Sequence, residues 1–161
     1  MMLVAARDIR GFFGTTWGVG VLTCTLVVEG TWFLAWGLGS QPAYSAEVLE
    51  RFFEIHGAIL LAFSLLLSIR AFADERVAGT WPLLRGSPLS DREITMGKYF
   101  AVMATLGVQS ALSAYLPALI LVHGRVGEMQ VLVGYAGALG LASVGTAVGL
   151  WASSHTKRQV F

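Results

Sequence analysis

The amino-acid sequence predicts an all-α, polytopic membrane helix bundle with four transmembrane helices. Hydrophobic residues make up 55% of the 161 residues and charged residues only 13%, against roughly 25% charged residues in soluble domains. The mean hydropathy is +0.67. A soluble globule of this size could not cover its surface with so few charged side chains. The length fits a single transmembrane domain over residues 1–161, with little room for a catalytic domain beside it.

Four apolar stretches are long enough to cross a bilayer as helices, because a hydrocarbon core of about 30 Å needs roughly 20 mainly apolar residues. The predicted spans cover residues 12–38, 52–73, 96–122 and 131–153. The first span exceeds the roughly 7 to 15 apolar residues of a cleaved signal peptide, so we expect it to be retained. Continuous apolar runs, such as residues 59–67, do not fit the alternating pattern of transmembrane strands.

Basic residues divide unevenly between the two sides of the membrane. Nine of the eleven fall on one side: Arg7, Arg10, Arg70, Arg76, Arg85, Arg92, Lys98, Lys157 and Arg158. Lys and Arg accumulate in short cytoplasmic segments, so we expect a multi-pass protein of the cell membrane with both termini in the cytoplasm. The outer side then holds the loop 39–51 and the turn 123–130. The net charge of +1 gives no sign of a nucleic-acid binder.

Span four carries small residues at the spacing of a helix-packing face. Gly145 and Gly149 form a Gly-xxx-Gly pair, and a second row repeats every four residues, at Gly134, Ala138, Ala142 and Thr146. Small residues let helix backbones approach closely in lipid. We therefore expect this helix to pack against a neighbour rather than to line a pore.

Three residues of the other spans predict specific structural or functional roles. Pro117 predicts a kink in span three, and Gln109 predicts a hydrogen bond between helices. Glu29 lies inside span one, where an ionisable side chain is costly and is a candidate functional residue. The alternative is a structural role, with Glu29 protonated or reaching the outer interface beside Trp32.

The sequence offers no catalytic or metal-binding motif. The lone Cys24 excludes thiolate metal sites and an intramolecular disulfide. The histidines fall near three helix ends without the i, i+4 spacing of a metal site, so we interpret them as interface residues: His56, His123 and His155. Four serines without a His-Asp constellation in the sequence are interpreted as packing or back-bonding residues: Ser64, Ser68, Ser110 and Ser113. We expect no enzyme activity, metal site or cofactor in this chain.

The connector between spans two and three, residues 74–95, has more structure than a plain linker. Glycine and proline divide it into short pieces, and Leu83, Leu84 and Leu89 give it an apolar face that needs lipid or a protein partner. Ser90 and Glu93 have the spacing of a capping box. We expect one or two short surface helices, followed by a helix that begins near Asp91 and continues into span three.

The order of connector residues resembles that of ABC-2 type exporter permeases, above all those of gliding-motility and copper-site-maturation operons. The residues that carry the resemblance are Asp74, Glu75, Arg76, Gly79, Thr80, Leu83, Leu84, Ser87, Pro88, Glu93, Gly97, Lys98 and Ala101, with Tyr115 and Pro117 in span three and Ser153, Ser154, Thr156 and Gln159 at the end. The resemblance implies that the connector is a coupling helix that docks on a separate ATPase subunit. The implied docking residues are Glu75, Arg76, Gly79, Thr80, Leu83, Leu84, Ser87 and Pro88.

The resemblance also implies the partners. ATP and magnesium would bind to the ATPase, because Gly97-Lys98 is the only Gly-Lys pair here and lacks the first glycine of a phosphate-binding loop. A second permease subunit, identical or different, would complete the exporter within the membrane lipid. Two features depart from the family. Trp81-Pro82 replaces a Leu-Glu-like pair, and this sequence predicts four spans whereas the resemblance implies a six-helix subunit. The second departure leads us to expect a fragment, half of a split gene or a degraded gene product.

Two functions follow from these patterns. The first is the permease subunit of an ABC-2 type exporter, which moves a substrate by means of ATP hydrolysis on the separate ATPase. The alternative is a non-transporting membrane scaffold or assembly factor, or an inactive fragment of a six-helix permease. An intramembrane enzyme is disfavoured because the sequence contains no candidate constellation. No motif selects among lipid, polysaccharide, small drug, ion and protein as the cargo.

Overall fold

The computed structural model of the protein describes residues 2–37, 44–77, 79, 90–124 and 126–155. The described residues form helices without strands, which confirms the all-α fold class. The helices are α1 (Met2–Gly14), α2 (Thr16–Trp32), which continues as a π-helical turn (Phe33–Gly37), α3 (Ser45–Val77), α4 (Asp91–Ser113), α5 (Tyr115–His123) and α6 (Glu128–His155).

Four segments are long and apolar enough to cross a membrane, as the sequence predicts. They are Thr16–Gly37, Ser45–Ala73, Asp91–Val122 and Glu128–Ser154. Large apolar side chains such as Val27, Leu66 and Val133 are exposed on the outside of the bundle, where lipid would cover them. The chain is therefore a multi-pass membrane protein. The predicted loop 39–51 is too long, since α3 already begins at Ser45.

The beginning of span one differs from the prediction. Residues 12–14 belong to the separate helix α1, and the membrane-spanning helix begins only at Thr16. The two helices part at Thr15, whose extended backbone and side-chain hydroxyl cap α2 by accepting a hydrogen bond of 3.2 Å from the Gly18 amide. The apolar side chains of Phe12 and Phe13 pack against the core of the bundle, which explains why they resembled the start of a span.

Among the described helices, α3 and α6 make the most extensive contact, and they meet along their small residues. Gly134 faces Phe53, Gly145 faces Ser64 and Gly149 faces Ser68. Both sets of positions rise along the chain in the same order, so the two helices run parallel. A methyl group at Gly149 would come within 2.6 Å of Ser68 Cβ. This contact confirms the predicted packing role of span four and fixes the register between the two helices.

Span three is divided in two near its far end. Helix α4 ends at Ser113, Ala114 forms a turn, and α5 begins at Tyr115. Pro117 has no N–H to donate to the Ser113 carbonyl, which is the bond that a continuous α-helix would make there. The helix is thus interrupted where the sequence predicts a kink, beside Ser113, whose side chain contributes to the site described below.

The connector, residues 74–95, begins within α3 and ends within α4, and the short surface helices predicted between them lie outside the described residues. Helix α4 begins at Asp91, and Ser90 forms the predicted capping box: its hydroxyl accepts from the Glu93 amide at 3.3 Å, and its own amide donates to Glu93 Oε2 at 3.0 Å. Helix α3 continues to Val77, past the predicted end of span two. Gly79 has a φ of +67°, a left-handed conformation that commonly follows the end of a helix.

Candidate functional site: a buried polar network

Glu29 and His56 form a pair inside the bundle. His56 Nδ1 lies 2.7 Å from Glu29 Oε1, and the two residues are 0% and 1% exposed, respectively. An acid alone at this depth would be costly in a bilayer, and a basic partner offsets that cost. The side chain of the candidate functional residue Glu29 therefore points into the bundle. It does not reach the outer interface beside Trp32, so that alternative is wrong.

Helical spacing explains why both side chains turn inwards. On α2 the buried residues Gly18, Leu22 and Glu29 continue into Phe33 of the π-helical turn, all on one face. On α3 the buried positions 49, 52, 56, 60, 63 and 67 recur every three or four residues. This is the spacing of one helical stripe. His56 is part of that stripe, so the fold that buries the apolar residues also buries the imidazole.

Helix α4 supplies most of the remaining polar partners. Ser110 Oγ lies 3.3 Å from His56 Nε2, and Ser113 Oγ lies 3.4 Å from His56 Nδ1. Gln109 Nε2 donates to Glu29 Oε2 at 3.5 Å. Gln109 Oε1 accepts from Thr25 Oγ1 of α2 at 3.1 Å, which confirms the predicted interhelical bond of Gln109.

Aromatic rings close the network around the imidazole. Phe52 stacks on His56 with ring centroids 5.4 Å apart, and Tyr135 of α6 meets it edge-on at 5.3 Å. The Tyr135 hydroxyl lies 3.3 Å from Ser113 Oγ. The polar network thus joins four helices, α2, α3, α4 and α6, through the side chains of Thr25, Glu29, His56, Gln109, Ser110, Ser113 and Tyr135.

Two sequence interpretations need correction here. His56 is not an interface histidine near a helix end but a fully buried residue of α3, and the signal for this was its place in the apolar stripe. Ser110 and Ser113 are more than packing or back-bonding residues, because both contact His56. The back-bonding prediction itself is confirmed for Ser113, whose hydroxyl donates to the Ser110 carbonyl at 3.0 Å. For Ser64 the back-bonding prediction is confirmed, since its hydroxyl donates to the Leu61 carbonyl at 2.7 Å. His123 and His155 are the last residues of α5 and α6, and their role as interface residues stays a prediction.

His56 contacts Glu29 through one ring nitrogen and Ser110 through the other. An acid, a base and a hydroxyl are thus joined in a row, a constellation that the sequence did not suggest. Nucleophilic catalysis also needs space for a substrate, and Ser110 is only 5% exposed in this tightly packed region. What the arrangement can do is hold a proton between a carboxyl and an imidazole and pass it to neighbouring hydroxyls. No group of three His, Cys, Asp or Glu side chains within the described residues is placed to hold a metal ion.

The predicted docking residues lie at the other end of α3. Glu75 and Arg76 belong to the last turn of α3 by their backbone, and Gly79 follows it. The side chains of Glu75 and Arg76 lie outside the described part of the molecule, as do Thr80, Leu83, Leu84, Ser87 and Pro88. The structure describes the end of α3 before this region and the start of α4 after it, and the roles of the docking residues stay predictions.

No family model, curated protein or solved structure matches the chain.

Proposed function

We propose that the chain is the permease subunit of an ABC-2 type exporter, which uses ATP hydrolysis by a separate ATPase subunit. One observation carries the proposal beyond the resemblance of the connector residues: the connector joins α3 and α4, the two helices that meet in the polar network. His56 lies on α3, and Gln109, Ser110 and Ser113 lie on α4. A partner that moves the connector would act on both sides of these contacts.

Helix α3 can carry such a movement into the membrane. It is continuous from Ser45 to Val77, and the rise of 1.5 Å per residue puts His56 about 30 Å from the connector end of the helix. On the other side of the connector, the Ser90 capping box fixes the first turn of α4. A displacement of the connector is then transmitted along two stiff helices rather than absorbed at their ends.

The polar network suits a bundle that alternates between two arrangements. Hydrogen bonds in a surrounding of low dielectric constant are strong when made and costly when broken. The network therefore favours arrangements in which His56 is fully paired over those in which it is half separated. Binding and hydrolysis of ATP on the partner would shift the population between such states, provided that the partner contacts the connector differently in each.

The connector provides suitable chemistry for docking. Leu83 and Leu84 would bury apolar surface on the ATPase, while Glu75 and Arg76 would form polar contacts at its edge. On this proposal the connector lies in the cytoplasm, and the bundle lies in the cell membrane beside a second permease subunit. ATP and magnesium would be bound by the ATPase alone.

The test is to purify the tagged chain from its native membrane in mild detergent and to identify its stoichiometric partners. An ATPase subunit should copurify with the wild-type chain. Leu83→Asp together with Leu84→Asp should abolish this association without reducing the amount of chain in the membrane, whereas Thr95→Asp, on the exposed face of α4 and outside the docking residues, should leave the association intact. If the wild-type chain brings down no ATPase, or if the double variant binds it normally, the exporter proposal is wrong and the scaffold alternative replaces it.

A further inference from the structure

A narrow crevice lies between Glu29 and the end of the bundle away from the connector. It is bounded by the last turns of α2, the π-helical turn that follows and the start of α3. Arg51 is exposed where the crevice reaches the surface, whereas Glu29 is buried inside it. The crevice has no room for a water molecule. In this arrangement the carboxyl group is therefore closed off from water.

Two phenylalanine rings close the crevice over the Glu29–His56 pair. Phe33 meets Phe52 edge-on with ring centroids 6.1 Å apart, and Phe52 stacks on the His56 imidazole at 5.4 Å. A Cβ atom at Gly37 would come within 2.8 Å of Phe33 Cδ2, so glycine at this position lets the Phe33 ring lie against the turn. The pair is thus covered by one ring from each of the two helices that carry it.

The Phe33 side of this cover belongs to the π-helical turn (Phe33–Gly37). Such turns are rare and frequently occur at functional sites. Arg51 Nη1 donates to the Trp36 carbonyl at 3.1 Å and links the turn to the exposed start of α3. This bond and the Phe33–Phe52 contact would both have to open to admit water to Glu29.

The charged and titratable groups around the pair are few among the described residues. Arg51 of α3 lines the crevice together with Glu29. Tyr135 of α6 meets the His56 ring, and the Tyr115 hydroxyl of α5 lies against Gly30, the residue after Glu29. The partners from α4 and the remaining partner from α2 are neutral: Gln109, Ser110, Ser113 and Thr25. The charge at the centre of the network is therefore set by the pair itself.

The partners of His56 can satisfy the pair with or without one proton. The 2.7 Å between Nδ1 and Glu29 Oε1 is a hydrogen-bond distance, and Nε2 lies 3.3 Å from Ser110 Oγ. With a hydrogen on each nitrogen, the carboxylate and the imidazolium are neutral as a pair. If the proton between Nδ1 and Oε1 leaves, the Ser113 hydroxyl, 3.4 Å from Nδ1, can donate to that nitrogen. The pair then has one net negative charge.

This charge connects the proton to the crevice. A net charge inside a bilayer is costly, and water beside the carboxylate would lower that cost. Loss of the proton therefore favours an arrangement in which the crevice is open, and proton binding favours the closed arrangement of the structure.

We propose that Glu29 and His56 form a binding site for one proton, which exchanges with water at the end of the bundle away from the connector when the π-helical turn moves off α3. A hydronium ion in the open crevice would protonate the Glu29 carboxylate and leave as water, and the proton would then be shared with His56 Nδ1. Release reverses this step. The site belongs to the bundle alone and does not depend on an ATPase partner.

The first test follows both residues by NMR of the full chain in lipid nanodiscs, with isotope-labelled histidine and glutamate, from about pH 5 to about pH 8. The signals of Glu29 and His56 should change together in one step. Glu29→Gln should move the His56 step by about one pH unit or more, as expected for a coupled pair, whereas Thr31→Val on the exposed face of α2 should not move it. Signals that stay constant over this range, or that change independently, would overturn the proposal.

The second test measures how fast the His56 ring proton exchanges with deuterated water in the same samples. Phe33→Ala removes the covering ring and should speed the exchange severalfold. Arg51→Gln removes an exposed bond without touching the core and should also speed it. Leu34→Ala, exposed on the same turn and outside the crevice, should have little effect.

Two outcomes of the exchange measurement would contradict the route through the crevice. One is unchanged exchange in both Phe33→Ala and Arg51→Gln, and the other is equal acceleration in all three variants. Both tests use the purified chain without an ATPase, so their failure is distinct from a failure of the exporter proposal.

Discussion

The Glu29 carboxyl and the His56 imidazole approach to 2.7 Å in the interior of a membrane-spanning bundle. Neither residue is more than 1% exposed, so each side chain supplies the polar partner that the other needs at that depth. Ser110, Ser113 and Gln109 of α4 complete their hydrogen bonding. The pair is therefore tied to the relative position of α2, α3 and α4, and removing one member should expose this dependence.

Glu29→Leu and His56→Leu should each destabilise the bundle, while the double variant should lose less than the sum of the two. The reason is that a single substitution leaves the remaining polar group buried without its partner, and the double substitution removes both. We expect a coupling free energy of about 1 kcal/mol, in the range measured for hydrogen bonds in membrane proteins. Unfolding in increasing proportions of dodecyl sulfate measures it, and additive losses would contradict the coupling.

Glu29→Gln tests whether the pair has a role beyond stability. Glutamine keeps the size and the hydrogen-bonding capacity of the side chain but cannot form an ion pair or take up a proton. If the network takes part in transport, Glu29→Gln should lower ATP turnover by the copurified exporter more than it lowers the amount of chain in the membrane. Thr31→Val on the exposed face of α2 is the control. Equal losses of turnover and abundance would return Glu29 to a structural role.

Gly149→Ala tests the close approach of α3 and α6. The added methyl would come within 2.6 Å of Ser68 Cβ, so the helices must separate, at a cost of about 1 to 3 kcal/mol. Gly140→Ala on the same helix meets no atom within 4 Å and should be neutral or slightly stabilising, because alanine favours the helix. The free energy of unfolding in dodecyl sulfate distinguishes the two variants. Similar values for both would mean that the contact does not limit how closely the helices pack.

Features set by neighbouring residues were predictable from the sequence. The four spans depend on local apolar length, the start of α4 on the adjacent Ser90 and Glu93, and the break in span three on Pro117. The polar network was not predictable, because His56 and Ser110 are 54 residues apart in the chain and meet only through the rotation of two helices about their axes. The break at Thr15 was missed because the apolar Phe12 and Phe13 continue the hydropathy of span one.

Ser90→Ala tests whether the connector is attached to a fixed helix end. Loss of the side-chain cap typically costs about 1 kcal/mol, so the first turn of α4 should fray and its backbone amides should exchange faster with deuterium. Thr95→Ala, one turn further on and exposed, removes a hydroxyl that only bonds back to the Asp91 carbonyl at 2.9 Å, and should change exchange little.

The same variant connects the cap to the proposed function. If α4 transmits movement from the connector, fraying its first turn should reduce ATP turnover by the exporter while the ATPase still copurifies in normal amounts, because the docking residues lie before Ser90. Thr95→Ala should retain turnover. Faster exchange in Ser90→Ala with unchanged turnover would show that the cap stabilises α4 without transmitting movement, and α3 would then be the helix that couples the connector to His56.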